Sequence, residues 1–123
     1  MSSKVPQCVF GLTELFQYTF GQPQVGNDYF AKYVTYQPGG NFRVTHTNDV
    51  VPKLPGLPGY KHWGPEYHIT SGDNKQVSAS DISVVEGLPL LAGNMATLGV
   101  SILAHGWYFN SIAACAPGGL PEF

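Results

Sequence analysis

The stretch from Leu15 to Thr47 restricts the fold of this chain more than any other. Leu15-Phe-Gln-Tyr-Thr-Phe20 is aromatic and β-branched and is closed by Gly21, the composition of a buried strand. Gly21-Gln-Pro-Gln-Val-Gly26 is turn chemistry. Asn27 is placed to cap a helix over about 28–36, with Asp28 in the first turn, where the helix dipole favours negative charge. Tyr29, Phe30, Tyr33 and Val34 fall on one face of that helix, and Pro38-Gly-Gly40 ends it. Phe42-Arg-Val-Thr-His-Thr47 reads as the next strand. Two strands joined by a helix pair in parallel, so the expected class is α/β.

Prolines 52, 55, 58 and 65 forbid regular structure between residues 51 and 65. Tyr67–Thr70 and Ser83–Glu86 read as short strands around a turn at Ser71-Gly-Asp-Asn74. Residues 87–100 read as a long irregular loop. Ile102–Ala114 fits a terminal helix with Leu103, Trp107, Tyr108 and Ile112 on one face, closed by Pro117-Gly-Gly119. Residues 1–14 form an irregular lead-in, 15–116 the domain, and 117–123 a tail.

Charged residues are only 11% of the 123, where about 25% is usual. Either the interior is unusually well covered, or the rest of a larger protein covers it. The six Lys and Arg are scattered and the net charge is −2, so no positive patch exists for nucleic acid. The uncharged stretch from Gly87 up to Glu122 is interrupted throughout by Gly, Pro, Asn, His and Ser, and is no membrane span. The amino terminus carries no apolar core of a signal peptide. Cys8 and Cys115 match no zinc or redox spacing. Pairing with each other and remaining reduced are both open to them. The four histidines and two cysteines form no ligand pattern, and no metal or cofactor is expected.

Two short blocks could carry chemistry. Thr45-His-Thr-Asn-Asp49 follows a strand, and a carboxylate at the carboxyl end of a parallel strand sits where α/β proteins place their sites. Ala104-His-Gly-Trp-Tyr-Phe109 sets a histidine at the mouth of the last helix. An aspartate can hold an imidazole in one tautomer and stabilise its charged form, as a general base requires. The plainer alternative makes Asp49 a turn residue and His105 a packed ring. His46, near the strand end, is placed to support the Asp49 loop by hydrogen bonding.

Residues 16–115 resemble the carboxyl-terminal half of the class 3 fungal lipases and related feruloyl esterases. The matching blocks are Tyr18-Thr-Phe-Gly-Gln-Pro-Gln-Val-Gly-Asn27, Phe42-Arg-Val-Thr-His-Thr-Asn-Asp-Val-Val-Pro-Lys-Leu-Pro55, Gly64-Pro-Glu-Tyr67 and Ala104-His-Gly-Trp-Tyr-Phe109. Their order and spacing carry the resemblance. It implies the carboxyl-terminal part of an α/β-hydrolase sheet with flanking helices, incomplete in this chain. It implies a Ser-Asp-His ester hydrolase, in the chain order Ser, acid, His, with Asp49 as acid and His105 as base. Val50, Val51, Leu54 and Ile102 would line an acyl groove, with core packing as their alternative role. A lipid or ester substrate, a lipid–water interface and an extracellular setting follow from the same resemblance.

The nucleophile does not follow. The family's Gly-x-Ser-x-Gly elbow exposes its serine on a strained strand-to-helix turn, and none of the eight serines here lies in such a block. The nearest, Gly99-Val-Ser101, has Leu103 where the second glycine belongs, and it follows Asp49. The chain is therefore expected to be inactive alone, its length that of about half the full domain. The alternative is a non-catalytic remnant that binds lipid or a protein partner. Leu103 and Gly106 stand where many relatives carry proline and a large aliphatic residue. Cys115 matches a family half-cystine whose partner near the mature amino terminus is missing here.

Overall fold

The computed structural model describes residues 15–86 and 92–114. The lead-in, the tail and both cysteines lie outside the described residues. Four strands form one sheet in the order β1 (Leu15–Phe20), β2 (Gly39–His46), β3 (Glu66–Ile69), β4 (Ile82–Val85). β1 and β2 pair in parallel, as do β2 and β3, and β4 returns antiparallel to β3. The crossover between β1 and β2 is helix α1 (Asp28–Thr35). The expected α/β class and parallel pairing are what the chain adopts.

Local chemistry fixes α1. The Asn27 side chain accepts from the Phe30 amide at 3.0 Å, and Asp28 pairs with Lys32 one turn on. The apolar face of the helix is, however, left largely open. Tyr29 and Tyr33 are exposed, and only Ala31 is buried. Phe30 touches the chain through Trp63, edge to face. The small Ala31 is the residue on which the helix rests.

The two sheet faces differ sharply. One carries Tyr18, Phe20, Phe42, Val44, Tyr67 and Ile82, which with Phe109 line an apolar trough of about 330 Å³. Tyr18 and Phe20 are largely exposed there. The other carries Arg43, Thr45, Glu66 and His68 in register, all buried. Burial of four polar side chains is tolerable only if they satisfy one another. Arg43 Nη2 donates to Glu66 Oε2 at 2.9 Å, and Arg43 Nε donates to the Trp63 carbonyl. The Thr45 hydroxyl donates to Glu66 Oε1 at 2.5 Å, so its oxygen is left to accept from His68 Nδ1 at 3.0 Å. The Asn94 amide closes the cluster on Glu66 Oε1 at 2.9 Å. Burial alone would push the Glu66 carboxyl up. Arg43, Thr45 and the Asn94 amide more than offset it and hold the acid below its ordinary value. Gly93 makes the approach possible: its φ is +58°, and a Cβ would stand 2.6 Å from the Glu66 carboxyl.

The expected terminal helix does not form. Leu103–Gly106 is one 3-10 turn, followed by a small hairpin of β5 (Trp107–Tyr108) and β6 (Asn110–Ser111). Aromatic spacing suggested a helical face, but Trp107 and Tyr108 suit extended backbone equally well. Phe109 turns the chain with φ +57°, which ends any helical run. A second correction is a short 3-10 turn at Val51–Lys53 within the proline-rich stretch. Pro52 starts it without loss, because first-turn amides have no helical acceptor.

Candidate active site

β2 ends at His46, and the chain then turns so that Asp49 is wholly buried. Thr47 takes φ +36° in that turn. The Asp49 amide donates to the His46 carbonyl at 3.0 Å. Asp49 Oδ1 accepts from the Val51 amide at 2.8 Å. Its Oδ2 accepts from His105 Nδ1 at 2.9 Å and from the Tyr108 hydroxyl at 2.5 Å. A carboxylate only accepts, so all three donors are matched.

The pairing fixes the tautomer of His105. Nδ1 faces an acceptor and carries the hydrogen, which leaves the Nε2 lone pair free to take a proton. Among the described residues His105 Nε2 has no hydrogen-bond partner, and the side chain is about one-third exposed. A buried carboxylate behind an open imidazole is the arrangement of a general base and its orienting acid. Gly21, at the end of β1, makes room for the ring. Its φ is +59°, and a Cβ would stand 2.7 Å from His105 and 2.8 Å from the Tyr108 oxygen.

Asp49 and His105 are 56 positions apart, and a ladder of contacts brings their segments together. Asn94 Nδ2 donates to the carbonyls of Thr47 and Asp49. Lys53 Nζ donates to those of Thr97 and Gly99, each at 2.9 Å. The Ser101 amide donates to Asn48, and the Val50 amide donates back to Ser101. His46 Nδ1 lies 2.9 Å from the Ala104 carbonyl. The expectation for His46 is thus corrected. Its ring binds the turns at Ser71 and Ala104 rather than the Asp49 loop, because the strand pleat points it across to them.

Val50 and Val51 are half-buried, while Leu54 and Ile102 are largely exposed. The Val50–Ser101 bond sets Val50 beside Ile102. The carbonyl of Leu54 is engaged by the Gln24 amide at 2.8 Å. Gly106 has nothing near the position of a Cβ. His62 and His68 belong to the interior. Burial lowers both, His62 to about 4, with the Arg43 charge adding to the effect in each. Tyr108, Asn94 and Lys53 were not singled out as site residues. Tyr108 sits three residues beyond His105 in an aromatic block, which resembles packing and carries no sequence signal of its hydroxyl's partner. Among the described residues no cluster of three or more His, Cys, Asp or Glu could hold a metal ion, and no helix is long and apolar enough to cross a membrane.

Comparison with known proteins is specific. The family model Lipase (class 3) matches residues 8–58. A secreted mono- and diacylglycerol lipase 1 of Fusarium solani is 47% identical over 106 residues, which is 85% of this chain and 32% of that protein. A secreted mono- and diacylglycerol lipase A of Penicillium cyclopium is 51% identical over 109 residues, 85% of this chain and 35% of its own length. The solved mono- and diacylglycerol lipase of Aspergillus oryzae superposes with a TM-score of 0.72 at 39% identity, over 78% of this chain and 38% of that one. The matched segment of this chain therefore spans about a third of the length of these relatives.

Proposed function

We propose that the chain is part of a class 3 lipase, the family whose model and members it matches, and that Asp49 and His105 are the acid and base of a serine ester hydrolase whose nucleophile lies outside this sequence. The observation that carries this reading is the 2.9 Å contact between His105 Nδ1 and the buried Asp49 carboxylate, with Nε2 left open. In a complete site His105 would take the proton of the attacking serine hydroxyl and return it to the leaving alcohol. It would then activate water for deacylation, with Asp49 stabilising the imidazolium each time.

Residues 15–116 form the partial α/β-hydrolase domain. The substrate is a lipid ester, in keeping with relatives named for mono- and diacylglycerols, and their description as secreted supports an extracellular setting. Val50, Val51, Leu54 and Ile102 form one wall of the acyl site. The sequence contains no Gly-x-Ser-x-Gly block, so this 123-residue chain does not turn over esters by itself. Losing a triad nucleophile costs about 10⁶ in kcat in a serine protease.

The test is hydrolysis of a soluble ester together with labelling by a serine-directed phosphonate. Neither turnover nor label is expected. Turnover with stoichiometric label would show that a serine of this chain acts as nucleophile. A second reading, a non-catalytic module that binds lipid or a protein partner, is favoured by one feature: the exposed aromatic face of Tyr18 and Phe20. Binding of this chain to phospholipid vesicles tests it.

A further inference from the structure

The loop from Thr97 to Val100 leads into the segment that carries Ile102 and His105, yet its own apolar side chains do not anchor it. Leu98 and Val100 are 93% and 63% exposed, and Gly99 turns the chain with φ +70°. A lysine holds the loop instead. Lys53, half-buried in the turn after Asp49, donates from Nζ to the carbonyls of Thr97 and Gly99, each at 2.9 Å. Among the described residues no other donor reaches either oxygen. Two carbonyl dipoles aimed at one point repel each other unless a donor stands between them. An ammonium supplies both hydrogens, and its charge strengthens both bonds.

The two segments joined by this contact are those that carry the wall of the acyl site. Val50, Val51 and Leu54 stand on the turn of Lys53 itself, and Ile102 follows the loop that Lys53 holds. Just beyond the loop, the Ser101 amide donates to the Asn48 carbonyl at 2.9 Å and the Val50 amide donates to the Ser101 carbonyl at 3.1 Å. Ser101 Oγ accepts from the Ala104 amide at 3.1 Å, within the turn that bears His105. We propose that Lys53 is a positioning residue of the acyl site: it fastens the segment bearing Ile102 to the turn bearing Val50, Val51 and Leu54, and so sets how long an acyl chain the site accepts.

This inference deepens the lipid-ester reading and rests on it, but its first test does not use catalysis. Amide hydrogen exchange on the full 123-residue chain reads the fastening directly. In Lys53→Met, which keeps an apolar stem and loses the donors, the Val50 and Ser101 amides should exchange at least about tenfold faster, the scale of lost hydrogen bonds from a charged group. The Ala31 amide, bonded to Asn27 in α1, should be unaffected. Lys53→Arg, whose guanidinium also donates to two oxygens, should restore slow exchange. Gly99→Ala strains the same loop at its positive φ with Lys53 intact, and should act in the same direction as Lys53→Met. Unchanged exchange at Val50 and Ser101 would overturn the proposal, as would equal acceleration of all three amides, the mark of a merely general stabiliser. The acyl preference is read in a chimera that carries this chain in place of the matching segment of the Penicillium cyclopium lipase. Its kcat/KM for p-nitrophenyl decanoate relative to p-nitrophenyl acetate should fall about tenfold in Lys53→Met, mainly through KM, and recover in Lys53→Arg; that is the lower end of what an apolar pocket gains from one methylene. An unaltered ratio would overturn the proposal. Failure of the catalytic reading shows differently, as a folded chimera inactive with Lys53 in place.

Discussion

The Tyr108 hydroxyl donates to Asp49 Oδ2, the same oxygen that faces His105 Nδ1. Burial pushes the Tyr108 phenol up, and the hydrogen bond to Asp49 pushes it further, so the hydroxyl keeps its hydrogen and remains a donor. Tyr108→Phe keeps the ring and deletes one donor to a buried carboxylate. We expect a loss of about 1.5–3 kcal/mol, the range for hydrogen bonds to charged groups. Urea denaturation of the two chains measures it.

Gly21 touches the site by having no side chain. Gly21→Ala would force a Cβ into His105 and Tyr108 at a φ of +59°. The ring of His105 is expected to leave Asp49, seen as loss of the Nδ1 proton resonance. In a complete enzyme containing this segment, activity falls on the order of 10²-fold, the effect of an ångström-scale displacement.

The Arg43–Glu66 pair lies on the buried polar face with both side chains at 0% exposure. Glu66→Gln leaves the guanidinium without its counter-charge, and removing one partner of such a pair costs about 3–5 kcal/mol. That is a large share of a small domain's stability. The thermal transition of Glu66→Gln, followed by circular dichroism, is expected to fall sharply or vanish.

His62 supplies a pH dependence. Its Nε2 donates to the Pro52 carbonyl at 2.6 Å, and burial followed by the Arg43 charge lowers it from 6.5 to about 4. Between those values the unfolded chain binds a proton that the folded chain refuses. Stability is therefore full above pH 6.5 and falls as pH drops towards 4, by on the order of 3 kcal/mol. His62→Gln retains a donor for Pro52 and does not titrate. Its denaturation midpoint should be flatter across that window.

The βαβ unit was legible in sequence because its signals are local: β-rich composition, an asparagine cap and glycine turns. Asp49 was legible for the same reason, standing just after a recognisable strand. His105 was found beside it through the block Ala104–Phe109, while the secondary structure of that block was misread. Aromatic residues spaced for a helix are also residues for a hairpin, and the positive φ of Phe109 decides between them. The polar face was not legible. Arg43, Thr45, Glu66 and His68 look like the solvent side of alternating strands, and only the 92–96 turn, from a distant segment, shows that they are covered. Tyr108 and Asn94 were missed because their partners are 59 and 45 residues away.

The most direct measurement uses a chimera in which this chain replaces its matching segment in the mono- and diacylglycerol lipase A of Penicillium cyclopium, which contributes the remaining two-thirds. The chimera should hydrolyse diacylglycerol, and Asp49→Asn or His105→Ala within it should lower kcat by about 10⁴ or more without unfolding it. A folded chimera whose activity survives loss of His105 would contradict the assignment of Asp49 and His105 as acid and base.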